Sequence, residues 1–120
     1  MKINRFEDLE CWQQARELTK MVYAATNGKA FHKDMRLCSQ IQSSAGSVMA
    51  NIAEGFARRY PKEFIQFLFI AIGSAAETQS HLYIALDQKY VTQEQFDTIY
   101  QQAEKTAKMI SGLITYLRTK

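Results

Sequence analysis

Glu77 and His81 stand four residues apart, a spacing that brings a carboxylate and an imidazole onto one face of a helix. On a bundle scaffold such a pair suggests metal chemistry. Di-iron bundles, however, use a Glu-x-x-His motif from each of two helices plus further glutamates. Here the spacing is one residue wider, it occurs once, and the chain holds 2 histidines. His81 is therefore expected at the surface or an interface, His32 in a loop, and no metal is expected. Cys11 and Cys38 are the candidate nucleophiles. A reactive thiol needs a base beside it and a turn that presents it, and neither cysteine has a local nucleophile turn. Both occupy apolar helical positions and read as buried thiols. The 2 cysteines supply too few ligands for a zinc site and no disulfide framework. No glycine-rich phosphate loop is present. The chain reads as non-enzymatic, with no cofactor.

The stretch NIAEGFARR, residues 51–59, carries the other candidate chemistry. If Ile52 faces a helical core, Gly55 faces it three residues later, without a side chain. A glycine inside a helix costs about 1 kcal/mol relative to alanine, so an aromatic ring or a backbone packed directly over it is the expected compensation. Asn51, Glu54 and Arg58 line one shoulder, with Glu54 and Arg58 at i,i+4 in the favourable order. Arg59 would return to the core one position later, so the helix should end or turn before it. Two readings stay open. In one, the shoulder is a polar flank and Gly55 a packing notch. In the other, Arg58, Arg59 and Lys62 bind phosphate while Phe56 and Tyr60 stack on bases.

The elements that position these residues follow from composition and period. The chain has 120 residues, enough for one domain over residues 1–120 with its own core. Hydrophobic residues make up 47% and charged residues 22%, while 5 glycines and 1 proline favour long helices over a turn-rich sheet. The net charge of +3 permits an anionic partner without demanding one. The start, MKINRFEDLECW, lacks the apolar core of a signal peptide. The most apolar run, residues 64–76, contains Gln66 and is too short to span a bilayer. The basic residues are dispersed, so no membrane-surface helix is read, and a cytoplasmic location is expected.

Four helical segments are predicted. The first covers residues 6–26, with Cys11, Ala15, Leu18, Val22 and Ala25 at alternating four and three spacing, and ends at Asn27-Gly28. The second covers residues 33–58 on a seam of Cys38, Ile41, Ala45, Val48, Ile52 and Gly55, flanked by small residues. The third opens at Pro61 and keeps the rhythm through Phe64, Leu68, Ala71, Ala75, Thr78, Leu82 and Ala85. Ile65, Phe67, Phe69, Ile70 and Ile72 are apolar as well, so its first half is apolar all round and calls for a second burial, most simply against another subunit. The fourth opens at a Thr92–Gln95 capping box and runs through Phe96, Ile99, Ala103, Ile110, Leu113 and Leu117, with Glu104 and Lys108 spaced as an ion pair. Matched lengths and short breaks predict an all-α, antiparallel up-down-up-down four-helix bundle.

The sequences RFEDLECWQQARELTKMVY, QIQSSAGSVMANIAEGFARR, KEFIQFLFIAIGSAAETQSHLYIA and YVTQEQFDTIYQQAEKTAKMISGLITYL cover nearly the whole chain. Together they resemble the four-helix-bundle proteins encoded in intervening sequences of bacterial 23S ribosomal RNA. The resemblance implies a bundle that assembles as a ring-shaped homo-oligomer, commonly a pentamer. A related group serves as accessory protein of diversity-generating retroelements, with nucleic acid and a reverse transcriptase as partners. RNA binding is the usual expectation for the family. The chain departs from the pattern at Gln42 and Ser43, where members often carry arginines, and near Met49, where a proline is common. Those changes take basic charge off the second helix and leave Arg58, Arg59 and the KEF motif at residues 62–64.

The expected function is a non-enzymatic homo-oligomer that binds RNA or a ribonucleoprotein partner through repeated Arg58, Arg59 and Lys62. The alternative is a protein-docking scaffold or accessory subunit without nucleic-acid contact. Asn51, Glu54, Gly55, Phe67, Phe69 and Ile72 are the interface or structural signature. Lys105, Lys108, Arg118 and Lys120 read first as solvation of the fourth helix and second as an extension of the basic surface.

Overall fold

Breaks in the chain are set by residues that cannot continue a helix or that satisfy its open end. The computed structural model describes residues 3–120, in which the helices are α1 (Glu10–Thr26), α2 (Met35–Ala57), α3 (Pro61–Asp87) and α4 (Gln93–Leu117). No strand occurs among the described residues. Asp34 accepts the Leu37 amide at the start of α2 (3.1 Å). Pro61 is the first residue of α3, preceded by an extended Tyr60, as the residue before proline requires. Thr92 and Gln95 form the expected capping box at the start of α4, Gln95 N donating to Thr92 Oγ1 and Thr92 N to Gln95 Oε1.

The start of the first helix differs from the sequence expectation. Residues Phe6–Asp8 form a short 3-10 turn, and α1 begins only at Glu10. The cause is Leu9, whose extended backbone lets the side chain reach the core, where it is buried.

Neighbouring helices pack in the order α1–α2, α2–α3, α3–α4 and α4–α1, and the α2–α3 contact is the most extensive. The protein measures 47 × 21 × 19 Å along its principal axes. Every residue of the expected α3 rhythm is buried, and so are Ile41, Ala45, Val48, Ile52 and Gly55 of α2. Three positions shift. On α1, Thr26 is buried in the place expected for Ala25, which stays half-buried. Leu37 rather than Cys38 begins the α2 seam, because Cys38 turns toward the carbonyls of Phe31 and Thr26 and stays half-buried. On α4, Ile114 takes the inward place and Leu113 sits half-buried beside it, with Thr106 filling the seam between Ala103 and Ile110. A strict seven-residue seam drifts around a straight helix by about 20° per heptad, which along α4 tips the choice between the adjacent Leu113 and Ile114 toward Ile114.

Polar groups in this core are paired. Ser44 Oγ and Thr78 Oγ1 share a hydrogen bond of 2.8 Å across the α2–α3 contact, and Ser74 Oγ donates to Ser47 Oγ at 3.0 Å. Small hydroxyl residues let the two helices approach closely while meeting each other's polar groups. Thr106 Oγ1 donates back to the Gln102 carbonyl. Among the described residues no buried side-chain nitrogen or oxygen lacks a partner.

Candidate functional site

The turn between α2 and α3 is built on Gly55. A β-carbon at that position would lie 2.7 Å from Phe67 Cβ and 2.9 Å from Phe64 Cδ1. Those distances are too short for any side chain, so Gly55 lets α3 cross directly over α2. Phe64 in turn packs edge-on against Phe56, their ring centres 6.0 Å apart. The notch and the aromatic cover expected from the sequence are therefore both present.

Beside the notch, Glu54 and Arg58 pair at 3.3 Å, and Arg58 also reaches Glu63 at 3.8 Å. The Arg58 guanidinium lies 5.0 Å above the Phe67 ring. Asn51 turns back along its own helix and donates to the carbonyl and hydroxyl of Ser47. Arg58 is thus held by two carboxylates and a ring. Exposed ion pairs are weak and screened by salt, so its charge stays accessible at small cost.

Arg59 differs. The helix ends at Ala57, and Arg59 adopts a left-handed backbone with φ 69°, as the sequence required of a residue that would otherwise enter the core. Arg59 and Lys62 are exposed and take part in no ion pair among the described residues. Arg59 lines a cleft of about 360 Å³ with Phe56, Tyr60, Phe64, Tyr116 and Lys120. Lys120 Nζ stands 4.7 Å over the Tyr116 ring, and the Arg118 guanidinium lies 5.6 Å over Phe69. The end of α4 therefore adds Arg118 and Lys120 to the end of the bundle that carries Arg58, Arg59 and Lys62. From the sequence, solvation of the fourth helix was the first reading of those two residues and an extension of the basic surface the second. The missed signal lies in the matched helix lengths, which bring the end of α4 to the start of α3.

The apolar surplus of α3 divides by face. Phe67 is half-buried over Gly55, and Ile72 is half-buried against the core. Both are engaged within the protomer. Phe69 and Ile70 face outward, 50% and 53% exposed. Four turns on, Tyr83 and Ile84 face outward too, at 51% and 45%, and the sequence reading passed over both. Their separation of 14 residues from Phe69 and Ile70 puts all four on one face, with Gly73, Ala76 and Ser80 between them.

Neither cysteine is hydrogen-bonded to a histidine among the described residues. Cys11 is buried, and burial pushes its thiol up to about 11. Cys38 is also raised, by burial and then by Asp34. Raised thiols are poor nucleophiles. His81 Nε2 lies 3.4 Å from Glu77 Oε2 on the α3 surface. Among the described residues no group of three or more His, Cys, Asp or Glu is placed to hold a metal. Glu104 accepts from Gln79 Nε2 at 3.0 Å, and the ion pairs among the described residues do not include the Glu104–Lys108 pair that spacing suggested. At the opposite end, Tyr90 donates to Asp34 at 3.0 Å, and that bond holds the phenol above its ordinary range. No helix among the described residues is long and apolar enough to cross a membrane.

The sequence profile of the 23S rRNA-intervening sequence protein family matches residues 7–112. The chain belongs to this family. A crystal structure of a protein of unknown function from the S23 ribosomal protein family of Bacteroides thetaiotaomicron VPI-5482 superimposes with a TM-score of 0.79. The two are 26% identical, and the match covers 87% of this chain and 97% of that one. Among curated proteins none matches. The match to this intervening-sequence family takes in α1, α2 and α3 entire and most of α4, so the α2–α3 corner and the outward face of α3 both lie within it.

Proposed function

We propose that this intervening-sequence family member is a non-enzymatic, cytoplasmic homo-oligomer that binds RNA through a basic corner repeated around a ring. The protomer runs as an antiparallel up-down-up-down bundle. In support, Gln102 near the middle of α4 meets Gln14 in early α1, while Met21 and Ala25 in late α1 share a cleft with Glu94 and Gln95 in early α4. The outward face of α3 supports assembly, because Phe69, Ile70, Tyr83 and Ile84 stand about half exposed along one face, even with Tyr83 edge-on to Phe96 and Phe69 beneath Arg118. A five-membered ring is the size the family resemblance favours.

The observation that carries the RNA reading is the convergence of cations at one end. Arg59 and Lys62 lack carboxylate partners among the described residues, Lys120 from α4 lines the same cleft as Arg59, and Arg118 lies over Phe69 further along α3. Each protomer supplies only a modest charge, which a ring would multiply.

The test is RNA affinity measured against salt. Each phosphate contact contributes a slope of roughly 0.7–0.9 in log affinity against log salt. Arg59→Ala combined with Lys62→Ala is expected to weaken binding and flatten the slope by about two contacts' worth. Arg58→Ala is expected to change less, since Glu54 and Glu63 already share that charge. If wild type binds no RNA, the exposed α3 stripe favours the second reading, a docking scaffold or accessory subunit of a nucleic-acid-processing enzyme such as a reverse transcriptase. Sedimentation tests assembly separately, and a monomeric mass at micromolar concentration sinks the ring.

A further inference from the structure

The cleft at the basic corner has the makings of a base-binding pocket. Its volume of about 360 Å³ falls inside the range of small-molecule sites, ~300–1,000 Å³. Aromatic rings line it from three elements: Phe56 from α2, Tyr60 and Phe64 from the turn and α3, and Tyr116 from α4. Tyr60 is 66% exposed, among the most open large apolar residues of the molecule. Its backbone is extended because Pro61 follows, so the ring is carried on a stiff connection and not on a mobile loop.

Charge separates this cleft from the others. Among the described residues, Arg59 and Lys120 are the charged side chains that line it, and both are cations. A second cleft, beside α1 and α4, carries Glu94; a third carries Asp8 and Glu10; a fourth carries Glu104 among lysines. An aromatic-walled pocket with cations and, among the described residues, no side-chain carboxylate in its lining suits a ligand that is flat, apolar on its faces and attached to an anion. A nucleotide within a single strand has those properties. Its base can stack on a ring while its phosphate meets the guanidinium and ammonium. A base inside a duplex cannot enter, because both of its faces are already stacked.

We infer that the cleft takes one unpaired base of single-stranded RNA, stacked on Tyr60, with its phosphate between Arg59 and Lys120. The inference rests on the RNA reading above and deepens it: the corner would distinguish single strands from duplexes. Phe56 and Phe64 form the floor, and Lys62, outside the cleft, meets the strand's next phosphates.

The experiment compares a short oligouridine strand with a perfectly paired RNA duplex of the same length, using wild type, Tyr60→Ala and Tyr60→Phe. Wild type is expected to bind the single strand more tightly. Tyr60→Ala should lose about tenfold in affinity for the strand, in keeping with the loss of one stacked base, and nothing for the duplex. Its salt slope should stay at the wild-type value, because no phosphate contact is removed. Tyr60→Phe keeps the ring and should bind like wild type. Tyr60 is exposed, so unchanged thermal unfolding of both variants verifies that the fold persists. If strand and duplex bind alike and Tyr60→Ala changes neither, the base pocket is overturned while the basic corner stands. If neither RNA binds wild type at any salt concentration, the corner reading falls and the pocket falls with it.

Discussion

Along α3, Leu68, Ala75 and Leu82 are sealed within the bundle, while Phe69, Ile70, Tyr83 and Ile84 on the outward side stand about half open. The two faces have similar apolar content but different surroundings. Inward, every gap is filled: Phe64 and Phe67 close over Gly55, and Ser44 meets Thr78. Outward, Gly73 has nothing within 4 Å of a would-be β-carbon. Apolarity alone therefore does not say which face is the core. Shape does, because the inner face has a partner cut to fit it, whereas the outer face meets Phe96 and Tyr100 at Tyr83 and Arg118 at Phe69 and stays half open.

Substitutions at the glycines of these faces test that contrast most strongly. Gly55→Val should destabilise the protein by about 3 kcal/mol, since the added carbons would overlap Phe67 and the Phe64 ring. Gly55→Ala should cost less, because the helical preference of alanine, about 1 kcal/mol, offsets part of the clash. Chemical unfolding measures both, and a Gly55→Val protein as stable as wild type would show that α3 can move off α2.

The tightness of the seal can also be read by pH. The Cys11 thiol titrates near 11 in the folded protein, against an ordinary value of 9.0. The folded value is the higher, so the neutral thiol favours folding below pH 9, and stability is lost as pH rises through about 11. The loss should approach about 3 kcal/mol from this group. Cys11→Ala should remove that part of the decline in unfolding free energy measured from pH 8 upward. An unchanged decline would mean that water reaches the thiol.

Thr78→Val should cost about 1 kcal/mol, because the Ser44 hydroxyl loses its partner on α3 but keeps the Ile41 carbonyl. On the outward face the expected signs change. Gly73→Ala should stabilise the isolated protomer by up to about 1 kcal/mol in thermal unfolding, since nothing opposes the methyl group. Ile70→Lys should move protomer stability by less than about 0.5 kcal/mol, as for most surface positions. Its effect belongs in sedimentation, where a ring built on this face would come apart.

Much of this molecule was legible beforehand. The α3 rhythm from Phe64 to Ala85, the Pro61 start, the Thr92 capping box and the Gly55 notch all follow from local rules that hold wherever the helix packs. The Glu54–Arg58 pair was equally readable, since both partners lie on one helix. The misplacements have a common form. Cys38 yielded the seam to Leu37, Leu113 yielded it to Ile114, and Leu9 broke the first helix, each because packing in three dimensions chose between adjacent residues that the period left nearly equal.

By itself, then, the sequence determined four amphipathic helices, their punctuation and the place where one must pass close over another, because period, capping and glycine act within a few residues. Tertiary structure alone decided that Phe67 and Ile72 are engaged inside the protomer while Tyr83 and Ile84 look outward. It also brought Lys120 to the corner of Arg59 and Tyr60, and Arg118 onto Phe69. The corner joins residues about sixty positions apart in the chain, and only the packing of helix against helix fixes such relations.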